Sequence, residues 1–210
     1  MTVRAKWWAV ALAVATMAAP ARAQEPRPPL ERGLILGSVE AAMRVPVERM
    51  ENFSLVVDLS DRMLYVMSGD SVARRFPVSV GSEGYGTPPG QYRIRRLDWN
   101  PTWTPPASPW ARGKKREGPN SPGNPMGRVK IFFREPDYYI HGTTLPNSLG
   151  RAASHGCIRL RNIDAVEVAR MVMANSGDER GPEFFQKVLD ESDRTHEVDL
   201  RRTVPIRIRA

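Results

Sequence analysis

The chain has 210 residues, with 31 Lys and Arg against 23 Asp and Glu, a formal net charge of +8, and 41% apolar residues. That length allows one domain with a substantial core, or one domain with an appendage, and the apolar content with its mixed charges excludes disorder for the bulk of it. The cation excess suits an anionic partner such as a cell-wall polymer, whereas the scattered basic residues lack interleaved aromatics for base stacking, so no nucleic-acid partner is expected.

Residues 1–23 read as a secretory signal. Arg4 and Lys6 precede the apolar run AVALAVATMAA, and Ala21 and Ala23 offer small residues at the two positions a signal peptidase reads. The run falls short of the roughly 20 apolar residues of a spanning helix, so no stable membrane insertion is expected after cleavage. The expected localisation is export, to the periplasm or cell envelope. Residues 24–52 open with QEPRPPLERG, a Pro-rich, charged leader or linker expected outside the fold. A short helix is predicted around Val39 to Met43, limited by Pro46.

From Phe53 the pattern turns to strands. Ser54 to Leu59 and Arg62 to Met67 flank the turn pair Ser60-Asp61 and predict a hairpin. A further run, Ala73 to Val80, ends in the Gly/Pro cluster GSEGYGTPPG, which must be loop, and Gln91 to Leu97 is the next strand. Residues 98–127 are dense in Pro and Gly but carry Trp99, Trp103 and Trp110. Pro excludes a central strand there, and three indoles point to a functional lid rather than a disordered insert.

Arg128 to Phe133 and residues 138–143, YYIHGT, return to strand, the second delivering His141 to its end. A helix is predicted from a cap at Asn162 to a stop at Gly177, a second from Pro182 to Leu189, and a closing strand pair at His196 to Leu200 and Val204 to Ile208. Short strands at regular spacing with few helices make the expected class mainly β, a β-rich α+β fold.

The chemistry centres on RAASHGCIRLRN, residues 151–162, which holds Cys157, the single cysteine. An unpaired cysteine in an oxidising compartment is a reactive thiol or an intermolecular link, the alternative being a buried, inert one. Two of the three histidines lie near it in sequence. His155 is two residues away and shares its face if the segment is extended, and His141 ends the preceding strand, so spacing leaves both open as the base. Gly156 permits a backbone shape that aims N–H groups at an oxyanion. One Cys and two His could supply three zinc ligands, but H-x-C over a turn is poor for joint ligation and Asp137 and Asp164 have no ligand spacing. Neither a metal nor any other cofactor is expected.

IHGTTLPNSLGRAASHGCIRLRN, residues 140–162, resembles the signature of the L,D-transpeptidases, the YkuD-domain family of bacterial cell-wall enzymes. The matching positions are His141, Gly142, Thr143, Ser154, His155, Gly156, Cys157, Ile158, Arg159 and Asn162. The likeness extends to TPPG at 87–90, NPMG before the YYIHG strand and the closing VPIRI, so it covers about residues 53–208. It implies a catalytic domain over 53–210, a twisted β-sandwich with two or three short helices and a long lid loop. It also implies Cys157 as nucleophile, reactive as thiolate at neutral pH, and His141 as proton donor and acceptor oriented by the Gly142 carbonyl. N–H groups of Gly156 and Cys157 would form the oxyanion hole. On the substrate side stand Arg159, suited to a stem-peptide carboxylate or else to a structural ion pair, His155 in the site wall, and Ser154. Ser154 and Asn162 are expected to hold the turn and cap the helix more than to touch substrate.

The implied reaction is acyl transfer from a peptidoglycan tetrapeptide stem through a Cys157 thioester to a second diaminopimelate, giving a 3-3 cross-link. A wall-anchored protein is an alternative acyl acceptor. A hydrolase on the same scaffold, a carboxypeptidase or an amidase releasing wall-attached protein, is the second reading, and a non-catalytic wall-binding module the third.

Overall fold

The structure, a computed structural model, describes residues 38–210. The expected signal at 1–23 and the leader as far as residue 37 lie outside the described residues. Helix α1 (Val39–Arg44) starts where Ser38 Oγ accepts the Ala41 N–H at 3.1 Å. It buries Ala42 and Met43 against the later helices, and Arg170 holds its end by donating to the carbonyls of Ala42 and Val45. Residues from Ser38 onward, within the expected leader, thus pack on the later helices.

Strands β1 (Phe53–Asp58) and β2 (Met63–Ser68) form the predicted hairpin. Its turn is held by Asp58 Oδ1, which accepts from the Ser60 N–H, the Ser60 hydroxyl and the Asp61 N–H. The next run divides: β3 (Ser71–Pro77) stays in the sheet and β4 (Val80–Gly81) leaves it. Then come β5 (Gly90–Trp99), β6 (Val129–Arg134), β7 (Tyr138–Thr143), β8 (Ala152–Ser154), β9 (Ile158–Arg161), helices α2 (Asn162–Ser176) and α3 (Pro182–Asp190), and β10 (His196–Arg209).

Eight strands make one mixed sheet in the order β3-β2-β1-β10-β5-β6-β7-β9, with β10 parallel to β1 and β9 parallel to β7; β4 and β8 pair separately. The fold is thus strand-rich with few short helices. The expected closing pair is a single strand: β10 runs along β5 from His196 to Ile208, with a register shift between Asp199 and Val204. A bulge, not a turn, absorbs the polar residues between them. Opposite it, the buried positions of β5 change phase, from Ile94 to Leu97 and Trp99. The bulge thereby re-aims the pleat, and the apolar residues of both sheet halves join one cluster.

Helix α2 packs on β6, β7, β9 and β10. It ends at Gly177, whose φ of +85° is a left-handed cap. Asn162 departs from its expected role. It is the first helical residue and supplies no side-chain cap.

Candidate active site

On β7 and β9, Ile140 stands opposite Ile158 and His141 opposite Arg159. Alternation sends Ile140, Ile158 and Leu160 into the core, all fully buried, and turns Tyr139, His141 and Arg159 to the other face. Cys157, immediately before β9, lies on that second face within the fields of Tyr139, Lys130 and Arg159. Sheet pleat and parallel register thus unite residues far apart in sequence.

The turn before Cys157 is built by hydrogen bonds. Ser154 Oγ donates to the Cys157 carbonyl at 2.6 Å and accepts the Gly156 N–H at 3.1 Å. Thr87 Oγ1, from the TPPG loop, donates to the Gly156 carbonyl at 2.8 Å and accepts the Gly81 N–H at 2.9 Å. Gly156 has φ +109°, and a Cβ there would stand 2.9 Å from Tyr138 Cε1, so only glycine fits. These bonds bear on two of the expected roles. Ser154 is 1% exposed with its hydroxyl engaged inside the turn, which places it as a support rather than a substrate contact. The Gly156 N–H is taken by Ser154 Oγ, so it is not free for an oxyanion.

His141 is 3% exposed, with Nδ1 2.5 Å from the Gly142 carbonyl. A carbonyl only accepts, so Nδ1 carries the hydrogen and the lone pair of the neutral ring is on Nε2. Burial first, then the Arg159 cation, hold the imidazole down to about 3, with Lys130 adding to this and the Gly142 and Met126 carbonyls opposing. Gly142 is backed by Asn162: a Cβ on Gly142 or Gly127 would overlap Asn162 Oδ1. The Asn162 amide is therefore a wedge behind the carbonyl that orients His141.

Cys157 Sγ donates to the Asp137 carbonyl at 3.3 Å. Burial pushes the thiol up, against hydrogen bonds from Tyr139 and the charges of Lys130 and Arg159. Desolvation thus disfavours the expected thiolate, outweighing the nearby cations.

His155 is exposed and stacks on Trp110, ring centroids 4.0 Å apart at 14°, with Tyr85 edge-on at 4.7 Å. Burial, Arg159 and Lys114 all lower its pKa. Its ring is occupied by aromatic contacts, which puts His155 in the wall. Arg159 donates Nη1 to the Ala153 carbonyl at 3.2 Å and exchanges backbone bonds with Ser79. No carboxylate pairs with it among the described residues, so the structural ion pair is absent there.

Residues 100–128 form the long loop; Asp98 and Trp99, expected in it, end β5 instead. Trp103 and Glu117 exchange N–H to carbonyl bonds of 2.9 Å each way. Asn124 donates to the carbonyls of Pro101 and Gly118 and accepts the Met126 N–H. The 3-10 turn Pro109–Ala111 presents Trp110 to His155, and Lys114 Nζ lies 4.9 Å from the Trp110 ring. Among the described residues no group of three or more His, Cys, Asp and Glu could hold a metal ion, and no helix is long and apolar enough to cross a membrane.

Sequence reasoning missed Thr87, Tyr139 and Lys130 as parts of this site. Of these, only Thr87 carried a signal, as the first residue of TPPG.

Residues 52–196 match the family model described as the L,D-transpeptidase catalytic domain. A putative L,D-transpeptidase YkuD of Bacillus licheniformis is 30% identical over 145 residues, 67% of this chain and 75% of that protein. A probable L,D-transpeptidase ErfK/SrfK of Escherichia coli is 36% identical over 118 residues, 52% of this chain and 38% of its own. Among solved structures, L,D-transpeptidase 3 of Mycobacterium tuberculosis superposes with a TM-score of 0.48 at 16% identity, covering 76% of this chain and 61% of that one. The catalytic domain of the E. faecium L,D-transpeptidase gives 0.46 at 17% identity, covering 77% and 99%. The chain spans about six tenths of the mycobacterial protein's length.

Proposed function

Because the chain belongs to the L,D-transpeptidase catalytic-domain family, we propose that it transfers the acyl group of a peptidoglycan tetrapeptide stem through a thioester on Cys157. The observation that carries this reading is the fixed tautomer of His141: with Nδ1–H on the Gly142 carbonyl, the lone pair on Nε2 belongs to a neutral base on the face that holds Cys157.

In the proposed first step the S–H bond rotates from the Asp137 carbonyl toward His141, which takes the proton as sulfur attacks the carbonyl before the terminal D-Ala. A neutral resting pair suits this concerted transfer, since no buried ion pair stands before substrate arrives. The Cys157 N–H is the remaining candidate for the oxyanion, and Arg159, without a carboxylate of its own, is suited to a stem carboxylate. D-Ala leaves with the proton. An amine of a second diaminopimelate then resolves the thioester, the same imidazole acting as base, to give a 3-3 cross-link.

Attack by water on that thioester would give tripeptide instead, and the wall formed by His155 and Trp110 is where the two outcomes would be selected. Incubation of the protein with tetrapeptide-rich peptidoglycan, read by mass spectrometry of the digest, tests the proposal. Cross-linked dimers are expected with the parent and none with Cys157→Ala. Tripeptide without dimers would replace transfer by hydrolysis, and an unchanged digest would remove both. The reading also includes export through the expected signal at 1–23, measured as the N-terminus of the mature protein.

A further inference from the structure

One register row crosses five strands: Glu197 opposite Asp98, Asp98 opposite Lys130, Lys130 opposite His141, and His141 opposite Arg159. Residues paired in this way project from the same face, so ionisable side chains form a continuous line from β10 to β9, ending beside Cys157. Its central member is unusual. Lys130 is only 9% exposed, and a buried ammonium is costly unless something offsets it.

Its contacts show what fixes it. Nζ donates to the Thr102 carbonyl of the long loop at 2.8 Å and lies 5.0 Å from the Tyr139 ring centroid and 5.7 Å from that of Phe132. No carboxylate is in ion-pair contact with it among the described residues. Asp98, its register neighbour, is engaged with Arg96 at 3.9 Å, and Arg96 also pairs with Glu135 and Glu197 and lies 4.4 Å from the Phe132 ring centroid. The acids of the row thus make their ion pairs with Arg96, while the ammonium lies by the Tyr139 ring, favoured by Asp98 first and then by the Cys157 thiolate.

We propose that Lys130 is a positioning residue of the thiol site, whose ammonium sets the energy of the Cys157 thiolate and ties it to the seating of the 100–128 loop. The groups acting on that thiolate are Lys130 from β6, Tyr139 from β7, Arg159 from β9 and the Asp137 carbonyl, with His141 on the same face of β7; Asp98 and Arg96 act on Lys130, and Glu197 and Glu135 on Asp98. Burial opposes the ammonium, while Asp98 and, after it, the Cys157 thiolate favour it. A methionine of similar length would suit the same cavity without a desolvation cost. The retained charge therefore points to a function in the field of the site. Because Nζ is held by a loop carbonyl, displacing the loop would release the ammonium and make the thiolate less accessible.

The proposal rests on Cys157 being the nucleophile, and its test does not need the transfer reaction. In the full chain, the rate of Cys157 alkylation by iodoacetamide is followed against pH by intact mass. Lys130→Met is expected to raise the midpoint by on the order of one pH unit, slowing alkylation roughly tenfold at neutral pH, as loss of one nearby opposite charge does. Lys130→Arg should restore most of the rate. Asp98→Asn, which removes the negative charge behind the lysine, should move the midpoint down and covers the case in which Lys130→Met fails to fold. A folded Lys130→Met with the parent profile, or Asp98→Asn with an unchanged or raised midpoint, overturns the proposal. If the midpoints move as stated while no acyl transfer is found, the proposed function fails and Lys130 keeps this role.

Discussion

Trp110 lies flat on His155, with ring centroids 4.0 Å apart and planes 14° from parallel. This contact joins the 100–128 loop to the turn that presents Cys157. An aromatic pair of this kind contributes about 0.5–1.5 kcal/mol, so Trp110→Ala is expected to raise the KM for the peptide acceptor by roughly threefold to tenfold. Under the proposed function, the ratio of tripeptide to dimer in the muropeptide digest should rise with it, as a displaced loop would admit water to the thioester. A lowered kcat with unchanged KM and product ratio would place Trp110 outside substrate control.

Gly142 and Asn162 are expected to be coupled. A Cβ at Gly142 overlaps Asn162 Oδ1, with Asn162 Cγ 3.0 Å and Cα 3.3 Å away. Gly142→Ala alone should lower Tm strongly and reduce activity, by displacing the carbonyl that holds His141. Combining it with Asn162→Ala should recover part of the lost stability, which additive effects would not give. Thermal melts of the two single variants and the double variant measure this.

Thr87→Val removes a buried hydroxyl that donates to the Gly156 carbonyl and accepts the Gly81 N–H. Leaving both backbone groups without their partner should cost about 1–3 kcal/mol. Alkylation of Cys157 should also become less uniform, because the turn loses its tie to the TPPG loop. Urea midpoints and alkylation progress curves test the two effects separately.

His141 adds a pH dependence of known sign. Its folded pKa is depressed to about 3 from the ordinary imidazole value of 6.5, so the unfolded chain binds the extra proton first as pH falls. Stability from this group is complete above the unfolded value and is lost progressively below it. Between pH 7 and pH 5 the loss is about 2 kcal/mol. His141→Gln should flatten that decline in urea titrations at the two pH values, whatever it does to activity; an equally steep decline in the variant would assign the effect to other groups.

Much of the framework was legible in the chain. β-rich runs bounded by turn residues gave β1, β2, β6 and β7, alternation gave β5, Gly177 marked the end of α2, and Pro182 the start of α3, because these signals act within a few residues. The motif placed Cys157, His141 and Gly142 together, and the Nδ1 to Gly142 carbonyl bond lies where the resemblance put it. The single closing strand, the departure of β4 to β8, and the packing of residues 38–52 on α2 and α3 were not legible. Each depends on which distant segment offers hydrogen-bond or apolar partners.

What the sequence determined by itself was the family, the lone thiol and the candidate bases, since these depend on residue type and local spacing. Tertiary structure decided the rest. His155, nearest in the chain, is held in the wall by Trp110 and Tyr85, while His141 reaches the site face because β7 and β9 run parallel in register. The same register aligns Lys130 with His141. Burial, which no short stretch of sequence specifies, disfavours both the Cys157 thiolate and the His141 imidazolium. Charge state at such a site is set by desolvation and by neighbours brought in from other strands, and only the folded chain supplies both.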